Sequence, residues 1–228
     1  MAELMSKIRA DFDRIALLSE DGWSHNSHYH SFLLKQIPSH CMDVLEIGCG
    51  TGAFSRLLAG RSARVIALDL SPRMIQIARE RSKQYPNIDF QIADAMEWEF
   101  PAEHFDCVAS IATLHHLPFE KMLTKMKDAL KINGILIILD LFKAEGLSDV
   151  LTSMLAVPVN IVLKLIRNRR LREPREVREA WAEHGRSDSY LTLSQIRQAC
   201  TTVLPEAIVR RHLLWRYSII WKKTTIPS

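Results

Sequence analysis

The stretch VLEIGCGTGAFSRLL, residues 44–58, joins an apolar strand to an apolar helix through a glycine-rich turn. Gly48, Gly50 and Gly52 stand at alternate positions, which removes side chains where the backbone approaches a ligand closely. A dinucleotide-binding turn has its third glycine one residue later, and a P-loop continues with Gly-Lys-Ser/Thr, which does not follow here. Glu46 precedes the turn, where its carboxylate would repel a phosphate. The turn is therefore better suited to a cationic group.

Short apolar runs alternate with helical patterns from Asp43 to Phe142. Apolar strands separated by helices predict a parallel sheet that is buried on both faces. Right-handed crossovers then give a doubly wound α/β structure. We expect Ser71 to cap a helix that has Pro72 at its first position. The predicted strands are DVLEI, RVIALD, IDFQIA, FDCVAS and GILIILDLF, and the predicted helices are AFSRLLAG, SPRMIQIARERSKQ and PFEKMLTKMKDALK.

The alternation ends after Phe142. Residues 145–185 have a helical pattern and contain the basic run 164–178, in which seven Lys and Arg stand against two Glu. This run carries +5 and the whole chain carries +4, so the remainder sums to −1 and the body of the protein is not basic. TLSQIRQACTTVL predicts a helix capped by Thr192, and AIVRRHLLWRYSIIWKK predicts two closing strands.

The cysteines, at positions 41, 49, 107 and 200, include no CxxC pair. This scatter favours reduced thiols and argues against a disulfide framework or a zinc site. The N-terminal sequence MAELMSKIRADFDRI has no apolar signal core, so we expect a cytoplasmic protein.

The segment EIGCGTG, residues 46–52, resembles the first motif of class I S-adenosylmethionine (SAM)-dependent methyltransferases. In that family the acidic residue and the glycines hold the amino acid end of SAM. The resemblance implies that Asp69 receives the two ribose hydroxyls, since one carboxylate can accept from both. It also implies that Asp94 pairs with the adenine amino group, while the backbone amide of Ala95 meets the ring. An NAD site would also need an acid near Asp69, so Asp94 and the glycine spacing are what favour SAM.

The same resemblance implies the other members of the cofactor site. Leu70 and Met74 would contact the faces of the adenine, and FDCVASIATLHHL resembles the fourth-strand motif, whose exit loop lies beside the sulfonium. The candidate cofactor-binding residues are Tyr29, His30, Glu46, Gly48, Cys49, Gly50, Gly52, Asp69, Leu70, Met74, Asp94, Ala95, Met96, Ser110 and Ile111.

The resemblance covers residues 43–142 and implies a Rossmann-like, doubly wound sheet of seven mostly parallel strands with an antiparallel final strand. Helical cap elements complete this expected fold. We expect an N-terminal helical cap over residues 1–42, the SAM-binding core over 43–142, a helical insertion or lid over 143–190, and the final helix and closing strands of the core over 191–228.

The implied reaction is an in-line displacement that transfers the methyl group to a small-molecule N or O nucleophile and leaves S-adenosylhomocysteine (SAH). Alignment of the reacting atoms can supply about 7–11 kcal/mol of barrier reduction. His115 and His116 follow the fourth strand and are the candidate general bases; alternatively, they cap the next helix or line the cofactor pocket. Two other functions stay open: a membrane-peripheral lipid or quinone methyltransferase, and a SAM-binding relative that transfers no methyl group.

The segment WSHNSHYH contains His25, His28 and His30. His28 and His30 would point apart on a helix, and no acid or cysteine completes a ligand set, so we expect no metal. We expect the segment to fold over the cofactor, with Tyr29 or a histidine such as His30 near the SAM carboxylate or the acceptor. The alternative is a surface helix whose FLLKQI face packs on the sheet edge.

Residues 147–166 are largely apolar, but Ser, Asp, Asn and Pro158 interrupt them, so they do not predict a membrane span. The wider segment 147–178 is expected to form a lid over the acceptor, a contact with an anionic membrane surface, or a solvated basic helix. Nucleic acid is the less favoured substrate, because no Asn-Pro-Pro-Tyr type motif follows the fourth strand. The sequence leaves open the acceptor molecule, the acceptor atom (N, O, C or S), the use of a general base and the oligomeric state.

Overall fold

The computed structural model describes residues 2–18, 23–168, 174–186 and 188–225. The strands in these ranges are β1 (Cys41–Ile47), β2 (Ser62–Asp69), β3 (Ile88–Ile92), β4 (Phe105–Ile111), β5 (Leu130–Leu141), β6 (Ile208–His212) and β7 (Arg216–Lys222). They form one sheet in the order β3-β2-β1-β4-β5-β7-β6. β1 to β5 are parallel, and β7 is antiparallel to β5 and β6. The predicted Rossmann-like, doubly wound fold is confirmed.

The central strands are buried on both faces, which parallel strands require when helices cover each side. In β1, Val44, Leu45 and Ile47 are each at most 1% exposed. Leu45 packs in one apolar core with Val108, whereas Val44 packs in a second core with Ala109. The alternation of side chains along each strand therefore builds two cores, one on each face of the sheet.

Helices flank the sheet and connect its parallel strands, except that residues 93–104 between β3 and β4 form turns and irregular structure. Ser71 caps the helix Pro72–Arg81 by accepting a hydrogen bond from Met74 N, and Thr192 forms a capping box with Gln195 at the start of the helix Leu193–Val203, so both predicted caps are confirmed. The helices Leu147–Asn168 and Arg175–His184 confirm the helical prediction after the fifth strand. The helices of the described residues are α1 (Ala2–Leu18), α2 (His30–Leu34), α3 (Ala53–Ala59), α4 (Pro72–Arg81), α5 (Phe119–Ala129), α6 (Leu147–Asn168), α7 (Arg175–His184) and α8 (Leu193–Val203).

The N-terminal helix α1 lies against α4 and α7. Its Ile15 packs with Met74 and Ala180 in a small apolar cluster that is distinct from the two sheet cores. Asp13 accepts a hydrogen bond from the hydroxyl of Ser71, at the residue that caps α4. α1 therefore joins the insertion to the segment that follows β2.

α6 is held against residues 23–30 by side-chain hydrogen bonds. His25 Nε2 donates to the side-chain oxygen of Asn160, and Asn168 both accepts from Trp23 N and donates to Trp23 O. Within the described ranges, no helix combines the length and the apolar character that crossing a membrane requires. The large apolar side chains of α6 that are at least 37% exposed are Met154, Leu155, Val157, Val159, Ile161, Val162, Leu165 and Ile166.

Candidate active site at the carboxyl edge of the sheet

The glycine-rich turn after β1 needs glycine for two separate reasons. Gly48, Gly50 and Gly52 have φ values of 74°, 52° and 75°, in the left-handed region that side chains with a Cβ rarely adopt. At Gly48 an added Cβ would also lie 1.9 Å from Oγ1 of Thr113. The loop that leaves β4 therefore approaches the turn closely, and the two loops form one wall of the site.

Asp69 ends β2 and lies beside the turn. Its Oδ2 accepts from Gly50 N at 2.8 Å, and its Oδ1 accepts from Ser71 N at 2.9 Å. Burial raises the pKa of this carboxyl to about 6, and the two backbone hydrogen bonds oppose that rise. Each carboxylate oxygen has a second lone pair, so the fixed carboxylate can still accept from a ligand.

The pKa of Glu46 is raised further from its ordinary value than the pKa of Asp69. The Glu46 side chain accepts a hydrogen bond from the hydroxyl of Ser55, and the residue is 2% exposed. Burial raises the pKa of Glu46 to about 8, with a smaller contribution from the negative charge of Asp69. A cation bound beside this carboxyl would stabilise its ionised form, so the turn is electrostatically prepared for a cation.

The residues expected around the adenine lie at the end of β3 and the start of α4. Asp94 Oδ1 accepts from Met96 N at 2.8 Å, which fixes the orientation of that carboxylate, and Ala95 is buried. Leu70 is half-buried directly after β2. Met74 packs into the cluster under α1, so its contact with adenine stays a prediction.

His115 lies in the short 3₁₀ turn Leu114–His116 that follows β4. Its Nδ1 is 2.6 Å from Oδ1 of Asp140, near the end of β5, and its backbone N–H donates to the second oxygen of the same carboxylate. An ionised carboxylate only accepts hydrogen bonds, so Nδ1 carries the ring proton and Nε2 has a lone pair. This arrangement prepares Nε2 to accept a proton.

Comparison with known proteins agrees with this geometry. The family described as "Methyltransferase domain" matches residues 44–134. An uncharacterized methyltransferase of Mycobacterium tuberculosis is 29% identical over 203 residues, which cover 88% of this chain and 96% of the relative. The demethylmenaquinone methyltransferase of Tropheryma whipplei is 39% identical over 75 residues, 33% of this chain and 31% of that protein. The structure of the N-methyltransferase NodS from Bradyrhizobium japonicum, in complex with SAH, gives a TM-score of 0.65 at 18% identity and covers 95% of this chain and 98% of NodS.

The family match and the methyltransferase relatives that cover most of this chain support the predicted class I SAM-dependent methyltransferase. They also support an enzyme that uses SAM, and the glycine turn after β1 lies within the matched region. The individual cofactor-binding residues named from the sequence stay predictions.

His116, the second candidate base of the methyltransferase, points into a group of polar side chains from the insertion. Its Nδ1 lies 3.4 Å from Asp188 Oδ1, and Tyr190 donates a hydrogen bond to Asp188 Oδ2. Its Nε2 is buried and has no hydrogen-bond partner among the described residues. Burial, followed by the charge of His115, lowers the pKa of His116 to about 4, so its ring is neutral near pH 7.

The N-terminal candidates have packing partners of their own. The Tyr29 hydroxyl donates to Leu213 O at 2.6 Å, and its ring is buried. The His30 ring lies 5.0 Å from that of Phe54, in the helix that follows the glycine turn, and burial lowers the His30 pKa to about 4. Leu33, from the predicted FLLKQI face, is fully buried in a sheet core, as the alternative interpretation expected. His30 thus lies nearer the turn, and the cofactor role of both residues stays a prediction.

Three other cofactor candidates occupy the inner side of the turn and the end of β4. The Ser110 hydroxyl donates to Ile47 O and so joins β4 to β1. Cys49 is buried, and burial raises the pKa of its thiol well above the usual range. Ile111 ends β4 and is half-buried beside the same loop.

Asp140 and Asp188 were not among the site residues predicted from the sequence. Asp140 ends the apolar run GILIILD, and an acid at a strand's carboxyl end is a signal that could have identified it. Asp188 lies in SDSY, between two helices, where no local pattern distinguishes it from an ordinary loop residue.

Proposed function

We propose that this methyltransferase transfers the methyl group of SAM to a nitrogen or oxygen of a small molecule and releases SAH. The observation that carries the proposal is the meeting of the glycine turn, Asp69 and the His115–Asp140 pair at one edge of the sheet. Parallel strands end at the same edge, and ligands of doubly wound sheets bind there.

We assign the cofactor contacts from the fixed groups of that edge. Glu46 receives the ammonium group of SAM, because its buried carboxyl gains most from a neighbouring cation. Asp69 accepts from the ribose hydroxyls with the lone pairs that its two backbone hydrogen bonds leave. Asp94 accepts from the adenine amino group at the end of β3.

His115 is the proposed general base, with His116 as the alternative. As the lone pair of the acceptor attacks the methyl carbon, the C–S bond breaks and its electron pair stays on sulfur. The acceptor proton passes to Nε2 of His115, while Asp140 stabilises the imidazolium through Nδ1–H. A candidate base must lie within hydrogen-bond reach of the acceptor proton, and the location of His115 in the β4 exit loop supports that role.

The first test is a calorimetric titration of the purified protein with SAH and, separately, with NAD. We expect micromolar SAH binding and no NAD binding. Asp69→Asn should weaken SAH binding at least about tenfold, because one amide group cannot accept from both backbone N–H groups and both hydroxyls. The matched control is Asp89→Asn, on the partly exposed surface of β3. NAD binding, or equal SAH affinity in both variants, would contradict the assignment.

A screen for SAH release with amine and hydroxyl acceptors then tests the transfer itself. His115→Asn should lower kcat with the acceptor that is found, while the affinity for SAH stays within about twofold, since the base acts on the acceptor and not on the cofactor. An enzyme that binds SAH but releases none from SAM with any acceptor would support the non-transferring relative.

The second candidate is a membrane-peripheral enzyme that methylates a lipid or quinone. The exposed apolar side chains of α6 favour it, and so does the similarity to a demethylmenaquinone methyltransferase. Arg167 follows the apolar part of α6, whereas Arg169 and Arg170 of the basic run lie outside the described residues.

Co-sedimentation with anionic and zwitterionic vesicles tests this second candidate. The double change Leu155→Ser and Ile166→Ser should abolish vesicle binding, because both side chains are more than 60% exposed on α6. Met42→Ser, which changes an equally exposed apolar residue on β1, is the matched control. Absence of vesicle binding by the unchanged protein would reject the membrane candidate and leave the small-molecule proposal in place.

A further inference from the structure

Two histidines and one carboxylate meet where the β4 exit loop faces the insertion. His115, His116 and Asp188 each offer one potential ligand atom, and these atoms all lie within 4.8 Å of one another. We propose that these three side chains bind a divalent metal ion of the zinc type, a site that goes beyond the methyl transfer proposed above. In the metal-bound protein this site replaces the base role of His115, because the single lone pair of Nε2 cannot bind the ion and accept the acceptor proton together.

The separations between the ligand atoms agree with a single ion. Bonds of about 2.0–2.2 Å from zinc to nitrogen or oxygen place tetrahedral ligand atoms roughly 3.3–3.6 Å apart. His116 Nδ1 and Asp188 Oδ1 are already 3.4 Å apart, and His115 Nε2 and Asp188 Oδ2 are 4.0 Å apart. Since the ligand atoms lie at most 4.8 Å apart, closure of the group by up to about 1.5 Å brings all three atoms to metal-bond distance.

The neighbouring side chains already hold the ligands in the orientation that a metal needs. A metal-bound histidine usually donates its other ring N–H to a carboxylate, which fixes the ring and its tautomer. His115 has this arrangement, because Nδ1 is bonded to Asp140 and Nε2 is the nitrogen turned toward Asp188. Tyr190 fixes the Asp188 carboxylate through a hydrogen bond of 2.6 Å.

The buried carboxylates of Asp140 and Asp188 also favour the binding of a cation. The side chains of Asp140 and Asp188 are 1% and 5% exposed, and in the described part of the chain no Lys or Arg lies within 4.0 Å of either. Their partners are histidine rings, the Tyr190 hydroxyl and backbone N–H groups. Arg216 influences Asp140 only from a greater distance. Buried carboxylates are normally paired with a cation or coordinate a metal, and a metal ion between His115 and Asp188 satisfies that requirement.

His116 supplies an independent indication of a missing partner. Its side chain is 6% exposed, yet Nε2 has no hydrogen-bond partner in the ranges that the structure describes. A buried polar atom without a partner is costly; a metal bond through Nε2 would remove that cost, whereas a bond through Nδ1 would leave Nε2 without a partner.

The donor set indicates what the ion would bind next. Two histidines and one carboxylate leave at least one coordination position open, as in catalytic zinc and non-haem iron sites. An oxygen or nitrogen of the acceptor fits that position, since the β4 exit loop borders the proposed methyl-transfer site.

Metal content of the full chain, purified without a histidine tag, is the direct test. We expect about one zinc per chain by inductively coupled plasma mass spectrometry, and visible absorption bands of tetrahedral cobalt after exchange with Co²⁺. Competition with a chromophoric chelator gives the affinity. His116→Asn and Asp188→Asn should each weaken zinc binding about 100-fold or more, and Asp140→Asn, which changes a positioning residue, should weaken it about 10–100-fold.

Two control variants and one control titration keep the outcome clear. His104→Asn and Asp89→Asn change the same residue types elsewhere on the surface and should retain full zinc affinity. Each variant is also titrated with SAH, which reports folding and the cofactor site independently of the metal. Zinc content well below one per chain, or equal affinity in ligand and control variants, overturns the metal site. If SAH binding persists in that case, the proposed methyl transfer stands with His115 as the proposed base.

Discussion

Replacement of Glu46 by Gln tests whether the buried acid beside the glycine turn binds the ammonium group of the cofactor. Burial holds the pKa of Glu46 at about 8, compared with an ordinary value of 4.5, so at pH 6 or 7 most molecules without cofactor have a neutral Glu46. Binding of a cation requires the ionised form. The proton must therefore leave when SAH binds, and affinity must rise with pH.

The size of this effect follows from the pKa. Each pH unit below 8 costs about 1.4 kcal/mol, so SAH should bind about tenfold more tightly at pH 7 than at pH 6. Asp69, with a pKa of about 6, adds less than about twofold over the same interval. Glu46→Gln has no proton to release, so its affinity should change by less than about threefold between the two pH values. Isothermal titration in buffers of different ionisation enthalpy measures both the affinity and the protons released.

The same substitution should also change how the free energy of unfolding depends on pH. A carboxyl whose pKa is raised on folding stabilises the folded state fully below pH 4.5, and this contribution is lost as the pH rises toward 8. The stability of the wild type relative to Glu46→Gln should therefore fall by roughly 2–3 kcal/mol between pH 5.5 and pH 7.5, measured by urea unfolding. Glu206→Gln, an exposed change, should show no such trend. Equal pH profiles of wild type and Glu46→Gln in both assays would refute the reasoning.

Three further predictions concern the site and its scaffold. Gly48→Ala should abolish SAH binding, because its Cβ would collide with Thr113 in a backbone conformation with φ of 74°; titration that shows unchanged affinity would contradict the close approach. Ser55→Ala should move the pH dependence of SAH binding upward, because the hydroxyl of Ser55 lowers the pKa of Glu46 and its loss leaves the carboxyl harder to ionise. Thr192→Ala should reduce the free energy of unfolding by about 1 kcal/mol through loss of the helix cap, without an effect on SAH affinity.

Much of the fold could be predicted because its signals are local. Ser71 and Thr192 each stand directly before a helical pattern, where a side-chain oxygen can satisfy free backbone N–H groups. The apolar strands were equally clear, since a strand covered by helices on both sides has few polar positions. The order of the strands came from the family resemblance, because pairing between distant segments leaves no local signal.

The residues of the candidate site were likewise predictable only where their positions follow from local signals. Glu46 is the next-to-last residue of β1, and Asp69 is the last residue of β2. Their positions at the carboxyl edge of the sheet therefore followed from the strand assignments. Asp188 could not be found, because its approach to His116 depends on how the insertion folds back onto the β4 loop. Met74 was expected beside adenine from its place in the motif, and its packing under α1 depends on how the N-terminal helix docks onto the sheet domain, which no local signal specifies.

The hydrogen bond between Asp13 and Ser71 has a practical consequence for anyone who shortens this protein. Ser71 donates a hydrogen bond from its backbone N–H to Asp69 and another from its hydroxyl to Asp13 of α1. The proposed ribose-binding carboxylate is therefore linked to the N-terminal helix through Ser71. A version reduced to the sheet and its flanking helices would keep every residue of the glycine turn. It would nevertheless lose the anchor behind Ser71, together with the Ile15 packing that covers Met74. Isolation of the apparent cofactor-binding core would therefore remove part of what gives that core its shape.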